Sequence, residues 1–196
     1  MRYSKGRKRS THDHILKTAS VLMKKHGSDG IGIAALMQEA GLTHGGFYSH
    51  FNSRDDLVKE AYSAAMDLTT SRWEKLSESL PASQGLEAIV HGYLCVKHRD
   101  DPGGGCGLPV FATEIGRSSK PKRISFSIKL EEMINVVAAH FPDVRTGEAR
   151  RQAMFAISTM VGAMTLARAS AGERLSMEIL EAGAKTLLAP RSTTQA

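Results

Sequence analysis

Hydrophobic residues recur along this chain at the three- and four-residue spacing of helices, and no stretch alternates between apolar and polar positions as a strand would. Residues 33, 36, 37 and 40, for example, place Ile, Leu, Met and Ala on one helical face. The pattern predicts an all-α protein of about nine helices. We expect two domains, a set of short helices over residues 1–57 and a larger helical domain over 58–196.

The first 80 residues contain clear signals for helix starts and ends. Thr11 is predicted to cap the first helix, which Gly27 ends, and the second helix ends at Gly41. Thr43 then caps a short third helix. Ser53-Arg54-Asp55-Asp56 is a capping box that opens a long fourth helix, and Pro81 ends this region.

The second part of the chain is predicted to be helical as well. The stretch from Arg99 to Gly105 contains Pro102 and three consecutive glycines, which predicts a loop. Ser176 is predicted to cap the last helix. The helices are expected over residues 83–97, 110–115, 122–141, a segment that Thr146 caps and that reaches about residue 171, and 176–188.

Residues 33–51 comprise a helix, a four-residue turn containing Gly41, and a second helix. This spacing is typical of a helix-turn-helix, whose second helix enters the major groove of DNA. Phe47 and Phe51 are expected to pack inward. The residues expected to point outward, toward base edges, are His44, Gly45, Tyr48 and Ser49.

The charge distribution supports a DNA-binding N-terminus. The net charge is +6, and the first 54 residues hold nine Lys and Arg against three acidic residues. The rest of the chain is balanced, so all of the net charge lies in the first quarter. Neutralising phosphates releases counterions, which favours binding of such a basic module to DNA. A merely solvated basic tail is the alternative for residues 5–9.

The composition excludes an intrinsically disordered chain, a collagen and a small protein held together by disulfides. Hydrophobic residues make up 41% and charged residues 23%, values ordinary for a globular chain. No apolar run approaches the ~18 residues that cross a bilayer, and no signal-peptide core follows the basic start. Two cysteines make no disulfide framework. We expect a cytoplasmic protein without membrane association.

The sequence offers no enzyme or metal signature. We find no nucleophile elbow, no phosphate-cradling loop and no Cys/His cluster at metal-ligand spacing. His12, Asp13 and His14 diverge by about 100° per position on a helix, so they do not share one ion easily. We therefore predict neither catalysis nor a cofactor.

Several of these residues together closely resemble the DNA-binding domain of TetR-family transcriptional regulators. The resemblance covers about residues 11–65 and rests on Gly27, Ala40-Gly41-Leu42-Thr43, Phe47-Tyr48-Ser49-His50-Phe51, Arg54 and Leu57. It implies a dimer that binds a near-palindromic operator. It also implies a C-terminal domain that binds a small-molecule effector, dimerises and releases the operator, most often as a repressor.

The resemblance also implies roles for single residues. Thr43 would cap the recognition helix and touch a phosphate. His44, Gly45 and Gly46 would lie in its base-approaching first turn, while Tyr48 and His50 would contact phosphates or thymine methyl groups. Arg54 would meet a phosphate where the family usually has Lys. Additional contacts with a flanking minor groove or phosphates are assigned to Lys5, Arg7, Lys8 and Arg9.

One departure from the family pattern lies at Gly32, where many members have Thr or Ser. The phosphate contact of that hydroxyl is lost, so affinity would depend more on the basic N-terminal arm. Gly45 and Gly46 leave few side chains for base readout, which shifts specificity toward DNA shape and flanking contacts.

The C-terminal domain yields two weaker predictions. Small residues on the last two helices, Gly162 and Gly183 among them, predict a four-helix dimer interface, with internal packing as the alternative. An adaptable apolar pocket is predicted among the helices. Its candidate lining residues are Tyr93, Phe111, Glu114, Ile115, Phe126, Met133, Phe155, Met160 and Met164.

Cys106 supports a separate hypothesis. It follows a glycine-rich loop and precedes a helix whose N-terminus would lower the pKa of a thiol, which predicts a sensor of oxidants or electrophiles. The alternative is that Cys106 is only a small apolar residue packed under a loop, with no role in sensing. The competing functions are thus an operator-binding regulator, and a small-molecule-binding protein or thiol sensor with weak DNA reading.

Overall fold

The computed structural model describes residues 3–142 and 147–189, with side chains from residue 6 onward. The predicted cap at Thr146 lies outside the residues that the structure describes. These residues form nine α-helices, one 3₁₀ helix and no strand, so the all-α prediction is confirmed. The α-helices are α1 (Tyr3–His26), α2 (Ile33–Glu39), α3 (Arg54–Ser77), α4 (Ala82–Tyr93), α5 (Val96–Asp100), α6 (Leu108–Gly116), α7 (Lys120–Ala138), α8 (Gly147–Ala169) and α9 (Glu173–Leu188). The 3₁₀ helix spans His44–Ser49, between α2 and α3.

The chain folds into two compact units. The first comprises the residues up to Thr70 together with Asp101–Glu131, and the second comprises Ser71–Asp100 together with the residues from Glu132 onward. The first unit therefore contains α6 as well as the N-terminal helices. The division of function between residues 1–57 and 58–196 stays a prediction.

The core of the first unit holds the N-terminal helices together. Phe47 and Ile15 are fully buried, and Phe51 and Leu36 are nearly so. Phe111 of α6 belongs to the same cluster and packs against the ring of Tyr62, with ring centroids 4.4 Å apart. Burying a side chain of this size contributes about 1.5–3 kcal/mol, so these contacts hold the short helices that would not be stable alone.

The second unit is built around close packing of α8 and α9. A Cβ added at Gly183 would lie 3.2 Å from both the Ala163 Cβ and the Leu94 Cδ1. Ala153, Ala156, Ala163 and Ala167 are buried in this unit. Many of the small residues thus serve internal packing, which was the alternative reading of that pattern.

The N-terminus of α1 differs from the prediction. The helix begins at Tyr3 rather than at Thr11, so the basic segment continues α1 and does not form an extended arm. Thr11 lies inside the helix, where its hydroxyl donates to the Arg7 carbonyl at 3.0 Å. A threonine hydroxyl can bond the carbonyl four residues earlier as readily as it caps a helix, and Lys and Arg are good helix formers.

The other helix boundaries hold in part. The helix expected over 83–97 is broken at Leu94, and α5 extends to Asp100 into the predicted loop. The expected cap at Ser176 is wrong, because Gly172 occupies that position. Ser176 is buried inside α9, where its hydroxyl donates to the Ala167 carbonyl at 2.8 Å.

The capping box at Ser53 is confirmed in its main contact. The Asp56 backbone N–H donates to the Ser53 hydroxyl at 3.0 Å, and Asp55 and Asp56 lie in the first turn of α3. Acidic residues there favour the positive end of the helix dipole. Among the described residues, no helix combines the length and the hydropathy that crossing a membrane requires.

Candidate nucleic-acid interface

The 3₁₀ helix is held in place by its own Phe47, by Phe51 just after it, and by the turn before it. Phe47 and Phe51 pack with ring centroids 5.4 Å apart in the core of the first unit. Gly41 adopts a φ of +67°, a region that glycine enters without steric cost, and the Leu42 N–H donates to the Met37 carbonyl at 2.8 Å. This turn fixes the direction in which the chain leaves α2.

The opposite face of the 3₁₀ helix is open. His44 and Gly45 are exposed, and Tyr48 is 63% exposed. The Tyr48 ring meets the Phe47 ring edge-on at 5.1 Å, so a buried aromatic orients an exposed one. The alternative that Tyr48 is a packing residue is therefore less favoured than a surface role.

Thr43 and the two glycines complete this face. Thr43 precedes the 3₁₀ helix as predicted, but its hydroxyl makes no capping hydrogen bond. A Cβ at Gly45 would meet nothing within 4 Å, whereas one at Gly46 would contact the Met37 Cε at 3.6 Å. Gly45 thus leaves room for close approach of another molecule to the backbone.

His50 lies beside the histidines of α1. Its ring centroid is 6.2 Å from that of His12, its Nδ1 is buried, and no described residue bonds that atom. Burial, followed by the nearby His12 and Lys8, lowers the pKa of His50 below its ordinary value. His50 therefore favours the neutral form unless a negative group, such as a phosphate, approaches.

The two histidines of α1 brace the motif. His12 stacks on Phe51, with ring centroids 4.5 Å apart, and its Nε2 lies 2.9 Å from a Glu60 carboxylate oxygen. His14 Nε2 lies 3.1 Å from the Ala40 carbonyl at the end of α2. Sequence reasoning considered these histidines only as metal ligands, whereas the structure uses them to join α1 to α2 and α3.

Arg54 is partly engaged within the chain. Its Nη2 donates to the Ser28 carbonyl, and its Nε is 3.5 Å from the Ile31 carbonyl. The side chain remains 36% exposed. The guanidinium therefore holds the turn between α1 and α2, and its contact with a DNA phosphate stays a prediction.

The basic residues of α1 divide into two groups. Arg7, Lys8 and Arg9 are exposed, while the side chain of Lys5 lies outside the described residues. Lys24 is only 3% exposed, and its Nζ donates to the Gly105 carbonyl at 3.0 Å. Nothing in the sequence distinguishes Lys24 from the exposed Lys25, so this internal role was missed.

The predicted ligand-binding residues are divided between the two units. Phe111, Glu114, Ile115 and Phe126 belong to the first unit, where Phe111 is core. Tyr93, Met133, Met160 and Met164 are buried in the second unit, and Phe155 is 55% exposed there. Glu114 is bonded to Ser28 and Tyr62. Their role in binding an effector stays a prediction.

Cys106 is buried, with 4% exposure, and its sulfur accepts the Leu108 N–H at the start of α6 at 3.4 Å. Burial limits access of oxidants to the thiol, so the structure adds no support to the sensor hypothesis. In the described part of the chain, no group of three or more His, Cys, Asp or Glu side chains is arranged to hold a metal ion.

Comparison with known proteins agrees with this geometry. Residues 15–61 match the family model of the bacterial regulatory proteins, tetR family. No functionally curated protein matches the sequence. Together with the helix-turn-helix just described, the family match defines a DNA-binding transcriptional regulator.

Solved structures extend the similarity over the whole chain. The reduced form of NemR from E. coli is 21% identical, with a TM-score of 0.77 over 91% of this chain and 95% of that one. A TetR regulator from Chloroflexus aurantiacus is 23% identical, with a TM-score of 0.77 over 96% and 95%. A TetR-family regulator from Agrobacterium tumefaciens is 22% identical, with a TM-score of 0.77 over 92% and 97%. Residues 15–61 therefore form a DNA-binding domain of the tetR family, and the chain as a whole shares the fold of these solved regulators.

Proposed function

We propose that this chain is a ligand-responsive repressor that binds a near-palindromic operator as a homodimer and leaves it when a small-molecule effector binds. The observation that carries DNA binding is the 3₁₀ helix, in which the buried Phe47 packs against the exposed Tyr48 and His44 is exposed on the same helix. An exposed, rigidly supported polar surface beside basic residues is what entry into the major groove requires.

Phosphate contacts and base contacts would be divided between two groups of residues. Arg7, Lys8 and Arg9 are exposed on α1 and would supply charge to the phosphate backbone. The Thr43 hydroxyl, which makes no cap bond, is available to a phosphate. His44 and Tyr48 would meet base edges, with Gly45 admitting the close approach of DNA to the backbone.

The dimer would form through the outer faces of α8 and α9. Four large apolar side chains are exposed there, namely Met154 (40%), Phe155 (55%), Leu166 (59%) and Leu175 (53%). A Cβ at Gly162, also exposed, would meet nothing within 4 Å in this chain, so internal packing does not require a glycine there. Close approach of a partner helix is a reason for both features.

The effector would bind in the second unit. A groove of about 460 Å³ lies between the α4–α5 region and α9. Apolar side chains dominate its lining, including Leu94, Val96, Met177 and Leu180, and His91, Glu181 and Lys185 add polar groups. This volume falls within the range of small-molecule sites, about 300–1,000 Å³, and favours a mostly apolar effector.

Release would follow from a population shift. An effector that binds more tightly to one arrangement of the dimer favours that arrangement. Only the difference in its affinity for the two arrangements shifts their populations. Two recognition helices must lie about 34–36 Å apart to enter successive major grooves of one operator. An arrangement with another spacing loses one half-site.

The first experiment is selection of bound fragments from genomic DNA, followed by affinity measurements on the selected sequence at several salt concentrations. We expect an inverted repeat, an affinity that falls steeply with salt, and loss of about tenfold in Tyr48→Ala from one lost base or phosphate contact. Selection of no sequence, or equal affinity for selected and random DNA, would contradict the proposal.

A larger side chain in the groove tests whether the effector binds there. Met177→Trp should bind the operator like the wild type but should no longer be released by compounds that release the wild type. Ser79→Trp, at an exposed position between α3 and α4, is the control for the added indole. Release of Met177→Trp at wild-type effector concentrations would exclude this groove as the effector site.

A further inference from the structure

The peptide group of Ser28, in the turn between α1 and α2, is held from both sides. Its N–H donates to both carboxylate oxygens of Glu114, at 3.0 and 3.2 Å. Its carbonyl accepts a hydrogen bond from the Arg54 guanidinium. One side of this clamp thus comes from α6 and the other from the start of α3.

Glu114 has a further partner inside the same unit. The Tyr62 hydroxyl, on α3, donates to its Oε2. Burial and this hydrogen bond to Glu114 raise the pKa of Tyr62, so the phenol keeps its proton and remains a donor. The carboxylate therefore joins three elements: α6, which carries it, α3, and the α1–α2 turn.

The turn is shaped to admit this carboxylate. Gly27 has a φ of +77°, and a Cβ built there would lie 2.6 Å from the Glu114 Oε1. No side chain fits at this position without displacing the carboxylate. The glycine that ends α1 therefore serves the contact as well as the turn.

A second contact ties the same region of the chain to α1. The buried Lys24 Nζ donates to the Gly105 carbonyl at 3.0 Å, in the loop that precedes α6. Gly103 packs so closely on α1 that a Cβ there would lie 2.6 Å from the Lys25 Cε. Asp101–Gly116 thus anchors the last turns of α1 at two points.

We infer that Glu114 is a positioning residue for operator recognition, which sets the direction of α2 and of the 3₁₀ helix relative to α1 by holding the Ser28 peptide. The inference rests on the proposed function, because positioning matters only if two recognition helices read one operator. Ser28 lies four residues before the Gly32 carbonyl, which accepts the first hydrogen bond of α2, from the Leu36 N–H at 3.0 Å. A shift of the turn therefore moves α2, and with it the 3₁₀ helix that packs on Met37.

The test compares two DNA duplexes, the operator selected by the wild type and the same half-sites set one base pair further apart. Glu114→Gln replaces one carboxylate oxygen, which accepts hydrogen bonds, with an NH2 group, which donates them. The side chain then has one oxygen acceptor left for the Ser28 N–H and the Tyr62 O–H. We expect the preference of the variant for the correct spacing to fall about tenfold, a typical effect of one disrupted buried hydrogen-bond partner. Its affinity for random DNA should equal that of the wild type.

The controls separate positioning from folding. Glu78→Gln makes the same chemical change at an exposed position and should keep the wild-type preference. The ratio of two affinities does not depend on the active fraction, so partial unfolding alone leaves it unchanged. Tyr62→Phe removes one donor and keeps the Ser28–Glu114 contact, so its preference should fall less than that of Glu114→Gln.

The outcomes distinguish this inference from the proposed function. A wild type that selects no operator, or that shows no spacing preference, overturns both. A wild type with a clear preference that Glu114→Gln retains in full overturns the positioning role of Glu114 alone. A loss in Glu114→Gln that Glu78→Gln shares also overturns it, because the change would then reflect charge alone.

Discussion

At the scale of single residues, glycines determine much of the local geometry of the DNA-binding unit. Gly27 and Gly41 both have positive φ values, but they differ in what surrounds them. Gly41 has open space around it, whereas a Cβ at Gly27 would reach the Glu114 carboxylate. A side chain at Gly41 would meet backbone strain alone, whereas one at Gly27 would meet backbone strain and a steric clash with Glu114.

Alanine substitution at these two glycines should give different losses of stability. Gly41→Ala is expected to lower the free energy of unfolding by about 1–2 kcal/mol, the cost of a left-handed conformation for a residue with a Cβ. Gly27→Ala should cost more, because the new methyl group also displaces Glu114. Urea unfolding measures both, and an equal loss in the two variants would contradict a steric role of Glu114.

Gly32 makes the departure from the family pattern testable. It lies at the N-cap of α2 with extended backbone angles, and a Cβ there would meet nothing within 4 Å. Gly32→Ser should therefore change stability by only a few tenths of a kcal/mol, about the difference between these residues as caps. Its hydroxyl should raise operator affinity several-fold in a binding assay, whereas Gly32→Ala, which adds no donor, should not.

At the scale of elements, α8 and α9 each have two faces with different tasks. The inward faces bury alanines and Gly183, while the outward faces expose Phe155, Leu166 and Leu175. Both faces contain small and apolar residues, so the sequence pattern alone did not separate internal packing from a partner surface. The exposure of large side chains separates them.

Leu166→Glu is expected to dissociate the proposed dimer. Leu166 is 59% exposed in the single chain, so the substitution should leave the fold of the monomer intact. A carboxylate in an apolar interface lacks a partner and opposes association. Sedimentation should then show a monomer, with operator affinity close to that of random DNA. Gln84→Glu, which adds the same charge on α4, should remain dimeric, and a dimeric Leu166→Glu would exclude this face.

At the scale of the whole molecule, charge and protonation link stability to pH. Burial is the main cause that lowers the pKa values of His50 and His140 below that of a free histidine, about 6.5. The unfolded chain therefore binds more protons than the folded chain in mildly acidic solution. Stability from these groups is fully present above pH ~6.5 and is lost as the pH falls toward their folded-state pKa values.

We expect the urea midpoint to decrease from pH 7.5 to pH 5, and to decrease less in His140→Asn than in the wild type. The ring of His140 packs against Gly85, where an added Cβ would lie 2.6 Å from it, so the variant should be compared by its pH slope rather than by its absolute stability. His91→Asn, at an exposed position on α4, is the control and should keep the wild-type slope.

Sequence patterns were sufficient where the chain interacts with its nearest neighbours. The helical spacing of apolar residues, the turn at Gly41, the Ser53 cap and the inward Phe47 and Phe51 all follow from local stereochemistry, and the structure agrees with each. The start of α1 was predicted wrongly because a threonine at a helix start and one within a helix present the same local signal.

Only the tertiary structure decided which polar side chains bond to distant parts of the chain. Nothing in the sequence identifies the partners of Lys24, His12, His14 and Glu114, yet each bonds a group at least 26 positions away. Such contacts depend on how the helices pack, and packing is determined by burial summed over the whole unit. The sequence by itself thus determined the class of DNA-binding motif, whereas the folded chain determined what holds that motif in position.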